Sequence, residues 1–318
     1  TVTTAPSDGY SFDGWKGTLP DGAVTDGNKI TFTVTGAEAF SVSFVRGWQY
    51  NASTGVLDDG LGWTLVAMEV EGGLCLTNRI AGSGDLDLSK VEHDTGLKVV
   101  AVGNGNRTIG NFLGSGLTSF YGPDVVKLAD WCFYGSAMTN CWVSDDIHTI
   151  GQDALGGTTK MQAFHPTCFR ALKTTGPQAM ESIGAGVPAH FNFEFPLVEC
   201  FGVGGLFRVS MDSVVATNMT RLADRCFWDC KQLTNIVLGC CVTQMQYQAF
   251  RSLPKYKGPI VLDVTTVPYE AFAYSAALTS IVFRAQLDSI AGATGNTCGA
   301  LDHMGDDLGI SFTGLPPT

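Results

Sequence analysis

LADRCFWDCKQLTNIVL, from Leu222 to Leu238, is the stretch from which the rest of the chain can be read. It holds a small-plus-large pair, Cys226-Phe227, then a short polar turn, then Leu233-Thr234-Asn235-Ile236 running into a strand. The same outline returns downstream at Ala249-Phe250 and at Ala271-Phe272, the latter leading into Leu278-Thr279-Ser280-Ile281. Upstream it is read at Cys200-Phe201 (leading into Leu206), Ala179-Met180, Ala154-Leu155 and Cys132-Phe133. A degenerate first copy is Asn111-Phe112 with Leu117-Thr118-Ser119. The steps run from 21 to 26 residues. A fixed period in that range marks a solenoid of stacked short units.

One unit of that size encloses no core, so each lays its apolar face on its neighbours. The pair position needs Ala or Cys where backbones approach and a large residue to fill the interior. In the strand, alternation turns Leu233, Ile236 and Leu238 inward and Asn235 and Val237 outward. The expectation is a β-rich leucine-rich-repeat solenoid of about eight units, one strand per unit, preceded by a small β domain.

These units resemble the BspA-type leucine-rich repeat of bacterial surface proteins. Val267-Pro268-Tyr269-Glu270-Ala271-Phe272 and Leu278-Thr279-Ser280-Ile281-Val282 follow its pattern, and Cys230 falls on its Gly-Cys cysteine. The resemblance covers about residues 60 to 290 and weakens between Thr174 and Glu199. There Pro177, Pro188, Pro196 and the run His190-Phe191-Asn192-Phe193 interrupt it.

Residues 1–46 read as a separate small β domain. Gly9-Tyr10-Ser11-Phe12-Asp13-Gly14-Trp15 and a Gly/Asp turn at 19–22 precede two alternating segments, Lys29 to Val34 and Phe40 to Phe44. Period-two alternation marks strands with one buried face. The opening motif is similar to the internalin-type β repeat. Residues 47–106 are the expected N-terminal cap, with short strands at Trp63–Met68 and Asp85–Leu88, while Leu97 to Gly103 resembles the lead-in of the BspA-type unit. The solenoid is assigned to 107–297 and a C-terminal cap to 298–318, closing on Gly309-Ile310-Ser311-Phe312.

The chain has 318 residues and a net charge of −11, with 15% charged residues and 39 glycines. No Lys/Arg cluster stands out in the sequence, which argues against nucleic acid as a partner. No apolar run is long enough to span a membrane. A first residue Thr and the absence of a leader suggest a trimmed or mature fragment of an extracellular protein.

The ten cysteines invite other readings. Cys132, Cys200 and Cys226 occupy Ala-equivalent positions and are expected as buried free thiols. The spacing of Cys226, Cys230, Cys240 and Cys241 fits structural zinc poorly; a disulfide from Cys230 to Cys240 or Cys241 stays open. The histidines at 93, 148, 165, 190 and 303 form no ligand pair. Gly202-Val203-Gly204-Gly205 lacks the Lys-Ser/Thr of a phosphate loop, and Ser115 lies in an ordinary turn. Asp58-Asp59, Asp145-Asp146 and Asp306-Asp307 lack EF-hand spacing. Sequons at Asn51, Asn106 and Asn218 would matter only in a eukaryote. No catalytic constellation, metal site or cofactor site is found, so the chain is read as a non-enzyme.

Outward strand positions are the remaining place for function. They are Ser119 and Tyr121, Asn140 and Trp142, Ala163 and His165, Arg208 and Ser210, Asn235 and Val237, and Ser280 and Val282. Of these, Tyr121, Asn140, Trp142, His165 and Arg208 are the candidate ligand contacts. Neighbouring strands lie about 4.7–4.9 Å apart, so Tyr121, Trp142 and His165 would form a ladder. The expected role is adhesion, by binding a host or bacterial surface protein or glycan, with a spacer lacking its own ligand as the alternative.

Overall fold

The computed structural model describes residues 1–7, 10–34, 36, 39–105, 116–239, 241–292, 299–305 and 308–312. Asn106, Asn111-Phe112, Ser115, Cys240, Cys298 and Asp306-Asp307 lie outside the described residues.

Among the described residues the chain is almost entirely β, with a solenoid of about nine turns and a single short helix. Its helix, Val91–Thr95, stops at Gly96, whose φ of 75° closes the last turn. The first face carries strands Gly84–Asp87, Leu117–Gly122, Asn140–Val143 and Ala163–His165 in one parallel sheet. It continues as Phe191–Glu194, Met211–Ala216 and Asn235–Leu238, then as Ile260–Leu262, Ser280–Phe283 and Gly309–Phe312.

Most turns have a second strand that the sequence reading did not anticipate, the irregular turns at Thr174 and Cys200 having only an isolated bridge. Lys127–Leu128, Thr149–Ile150, Arg221–Leu222, Gln244–Met245, Thr266–Val267 and Ser289–Ile290 pair in parallel on another face. Two residues are too short to display an alternation, which is why one strand per unit was expected.

Between the two strands runs the small-large pair, flanked by residues held at positive φ. The first row is Trp131, Asp153, Gln178, Gly204, Arg225, Gln248 and Glu270; the second, four residues on, is Gly135, Gly157, Ser182, Arg208, Asp229, Ser252 and Tyr274. A non-glycine residue there costs about 1–2 kcal/mol of backbone strain. The strained units are locked by hydrogen bonds to the next turn, such as Arg225 N–H to the Tyr247 carbonyl and Phe227 N–H to the Ala249 carbonyl, each at 2.9 Å.

This register corrects one unit. Met180 N–H donates to the Gly205 carbonyl and Ser182 N–H to the Phe207 carbonyl, so the pair of that turn is Gly205-Leu206, five residues beyond Cys200-Phe201. Gly205 fits because a Cβ there would sit 3.0 Å from the Gly202 carbonyl oxygen. The mistaken pair shares small-plus-aromatic chemistry with the true ones, and the residues around it are irregular. Cys200 therefore lies in a bridge to Thr174 on the second face and is half-buried. Cys132 and Cys226 do fill the small position and are fully buried, as are Ala154, Ala179, Ala249 and Ala271. Ala300 extends the series by one turn, accepting from Phe272 N–H.

The interior is one continuous apolar cluster from Trp48 to Ala300. Phe227, Phe250 and Phe272 stack in its centre with ring centroids 5.6 and 5.4 Å apart. The interrupted stretch becomes strand Phe191–Glu194, with Phe191 and Phe193 inward and Asn192 and Glu194 outward.

An antiparallel meander of Gln49–Asn51, Val56–Asp58, Thr64–Val70 and Gly73–Ala81 joins the second face through Val99–Val102. Before it, Tyr10–Lys16 pairs with Ser41–Arg46, while Lys29–Thr31 pairs with Val2–Thr3 and Val24–Asp26. The two alternating segments of residues 1–46 thus take different partners. Phe12, Trp15, Phe32, Phe40 and Phe44 meet edge to face between them.

Candidate strand-face site

The first sheet brings four of its outward residues into one row. Asp87, Tyr121, Trp142 and His165 are cross-strand neighbours, and Asp85, Ser119, Asn140 and Ala163 form a parallel row beside them. The alternation that buries Phe120, Cys141 and Phe164 points these residues to solvent. Tyr121 and Trp142 are 37% and 43% exposed, large values for rings of this size.

The rings touch. Tyr121 and Trp142 have centroids 5.5 Å apart with planes tilted at 47°, while Trp142 and His165 stack at 3.9 Å and 19°. The stacked Trp142–His165 pair stands on edge with Tyr121 tilted against it, so the rings form a ridge rather than a flat platform. The row of small residues is the floor beside it, and Ser119, Tyr121, Asn140, Trp142, Ala163 and His165 line one open groove.

Three carboxylates frame this groove. Asp145 Oδ1 lies 2.8 Å from His165 Nε2 and fixes the imidazole against Trp142. At the other end, Asp85 accepts from the Thr118 and Ser119 hydroxyls at 2.6 and 2.7 Å. Those two hydroxyls hold its carboxyl below the usual range. Asp85 and Asp87 were missed as site residues, although the Asp-Leu-Asp alternation on an expected strand places both outward.

Arg208 does not belong to this site. It sits at φ 58° in the turn of the corrected unit, with Nε 3.2 Å from Asp229 Oδ2. Ser210, expected to face outward, is buried and donates to the Ala189 carbonyl at 2.7 Å. Cys230 is an unbridged thiol directed at the Leu206 carbonyl, 2.9 Å away, which removes the disulfide reading for it. Among the described residues, no group of three or more His, Cys, Asp or Glu side chains converges to hold a metal. Asp59 instead caps its own loop, accepting from Leu61, Gly62 and Trp63 N–H.

The family model described as "BspA type Leucine rich repeat region" matches in six copies, over residues 93–183 and 208–304. The chain belongs to that family. The BspA-type match covers more than half of the sequence and breaks around the irregular units near Phe191 and Gly205. It begins at residue 93, so the internalin-type likeness of residues 1–46 gains nothing from it.

Solved structures give distant likenesses to this chain. A leucine-rich cell surface protein from Faecalibacterium prausnitzii is 17% identical with a TM-score of 0.47, covering 74% of this chain. The chain spans 55% of that protein's length. A leucine-rich repeat protein from Bacteroides ovatus is 14% identical with a TM-score of 0.36, over 79% of this chain and 77% of the other. One from Eubacterium ventriosum is 15% identical with a TM-score of 0.26, over 83% and 84%. No curated protein matches. No helix among the described residues is long and apolar enough to cross a membrane.

Proposed function

We propose that this chain is a non-enzymatic, extracellular or surface-displayed bacterial protein that binds a protein or glycan through the groove beside Tyr121, Trp142 and His165. The observation that carries the reading is the contact of three rings in register on neighbouring strands, with Tyr121 and Trp142 exposed and Trp142 stacked on the half-buried His165. Side chains already locked by their neighbours lose little rotamer freedom when a ligand arrives, and Trp and Tyr so placed are the usual anchors of an interface. Asn140 and Ser119 supply polar contacts along the floor.

The later turns support a spacer role. Their outward strand residues are Ser213, Val215, Asn235, Val237, Ser280 and Val282, with no aromatic ring among them. The site therefore belongs to the first turns of the solenoid, held out by the rest.

The test is an array of glycans and host matrix proteins probed with wild type and with the Tyr121→Ala, Trp142→Ala double variant. Loss of a wild-type signal in the double variant is expected. A ligand bound equally by both would place binding elsewhere.

A further inference from the structure

The chain carries −11 overall, yet residues 208–257 hold seven Lys and Arg against only Asp212, Asp224 and Asp229. In the sequence these cations are spread at turn spacing, so no basic run shows. The solenoid gathers them. In the small-large turns Arg208, Arg225, Lys231 and Lys255 are exposed, as is Lys257, which leads into the strand Ile260–Leu262.

Several are held in place by aromatic rings. The Arg225 guanidinium lies 5.3 Å from the Trp228 ring centre, and Arg251 lies 5.5 Å from the same ring and 4.8 Å from Tyr274. Phe207 stacks on Trp228 at 4.7 Å, and Arg208 lies 5.4 Å from Phe207. Guanidinium planes pre-set in this way lose less freedom when they bind an oxyanion.

The local charge is only partly spent within the protein. Arg208 and Lys231 share the carboxylate of Asp229, and the carboxylate of Glu181 lies within electrostatic reach of Arg208 and Arg225. Arg251 is paired with Glu270. Arg225 is hydrogen-bonded by the neutral amide of Gln248 at 3.1 Å, and the Lys255 ammonium meets the Gln232 amide. The face keeps a net positive charge.

We infer that this turn face binds an anionic polysaccharide, one carrying a carboxylate or sulfate on each sugar. Successive turns of a parallel stack repeat at about 4.8 Å, comparable to the length of one pyranose unit. Arg208, Lys231 and Lys255 lie on three successive turns, so a chain lying along the stack meets a cation on each of them. A nucleic acid packs its phosphates more densely, about one per 1.7 Å of duplex, and the acidic remainder of the molecule repels it. The site is separate from the strand-face groove.

The experiment is calorimetric titration of the full chain with polygalacturonate, with neutral dextran and double-stranded DNA as comparisons. Polygalacturonate is expected to bind, more weakly as salt rises from about 0.05 to about 0.5 M because screening lengths shorten; dextran is not. Arg225→Glu with Lys255→Glu should weaken binding about tenfold or more, the effect of 1.4 kcal/mol. Lys257→Glu alone should weaken it less, and Trp142→Ala not at all. Circular dichroism of each variant checks that it is folded. No binding of polygalacturonate, equal binding by the charge-reversed double variant, or tighter binding of DNA would each overturn the inference.

Discussion

The indole of Trp142 lies flat on the imidazole of His165, ring centroids 3.9 Å apart, and Asp145 holds that imidazole at its Nε2 edge at 2.8 Å. Two turns of a solenoid thereby fix one exposed ring against another. Asp145→Ala is expected to cost at most about 1 kcal/mol of stability, since both partners are well exposed to water. It should nonetheless weaken ligand binding several-fold by freeing the imidazole. Urea titration together with a binding isotherm separates the two effects.

Phe250 stands between Phe227 and Phe272 in the core and is fully buried. Phe250→Ala should cost about 3–5 kcal/mol, the range for truncating a buried ring in a packed interior. Chemical denaturation measures it directly. A loss near zero would mean that the stacked register is wrong.

Burial pushes the Cys132 and Cys226 thiols well above their usual range, and the Cys230 thiol up to about 12. A thiol raised in the folded state is protonated there while the unfolded chain ionises near 9. Stability is therefore full below about pH 9 and falls as pH rises from there toward 12. Native alkylation at neutral pH should spare all three, and alkylation after unfolding without reductant should label all three. Ala fills the equivalent position in other turns, so Cys132→Ala with Cys226→Ala should fold and show a shallower alkaline loss.

Arg208 lies in the turn row, so Arg208→Ala should leave strand-face binding unchanged. Its exposed pair with Asp229 makes a stability loss of at most about 1 kcal/mol the expectation. A binding isotherm checks the first statement and a melting curve the second.

What could be read in advance follows from how strongly each feature repeats. The buried pair at Cys226-Phe227 and the alternation in Asn235–Leu238 recur in turn after turn, and both stand where the sequence put them. The same alternation sets Tyr121, Trp142 and His165 in one row, as the register of the strands shows. The unit at Gly205-Leu206 was misread because glycine replaces Ala or Cys there and a nearby Cys-Phe mimics the pair. Arg208 was misplaced with it. The second strands escaped because two residues carry no period. The gathered cations of the turn face escaped because residues about 22 apart become neighbours only when the turns stack.

The most direct test of the strand-face reading compares ligand binding by wild type, Trp142→Ala and Val237→Ala. Both substitutions remove an exposed outward residue from the same face, one in the early turns and one in the later. The account predicts a loss of about tenfold or more for Trp142→Ala and unchanged affinity for Val237→Ala. Unchanged affinity in Trp142→Ala, or a larger loss in Val237→Ala, would contradict it.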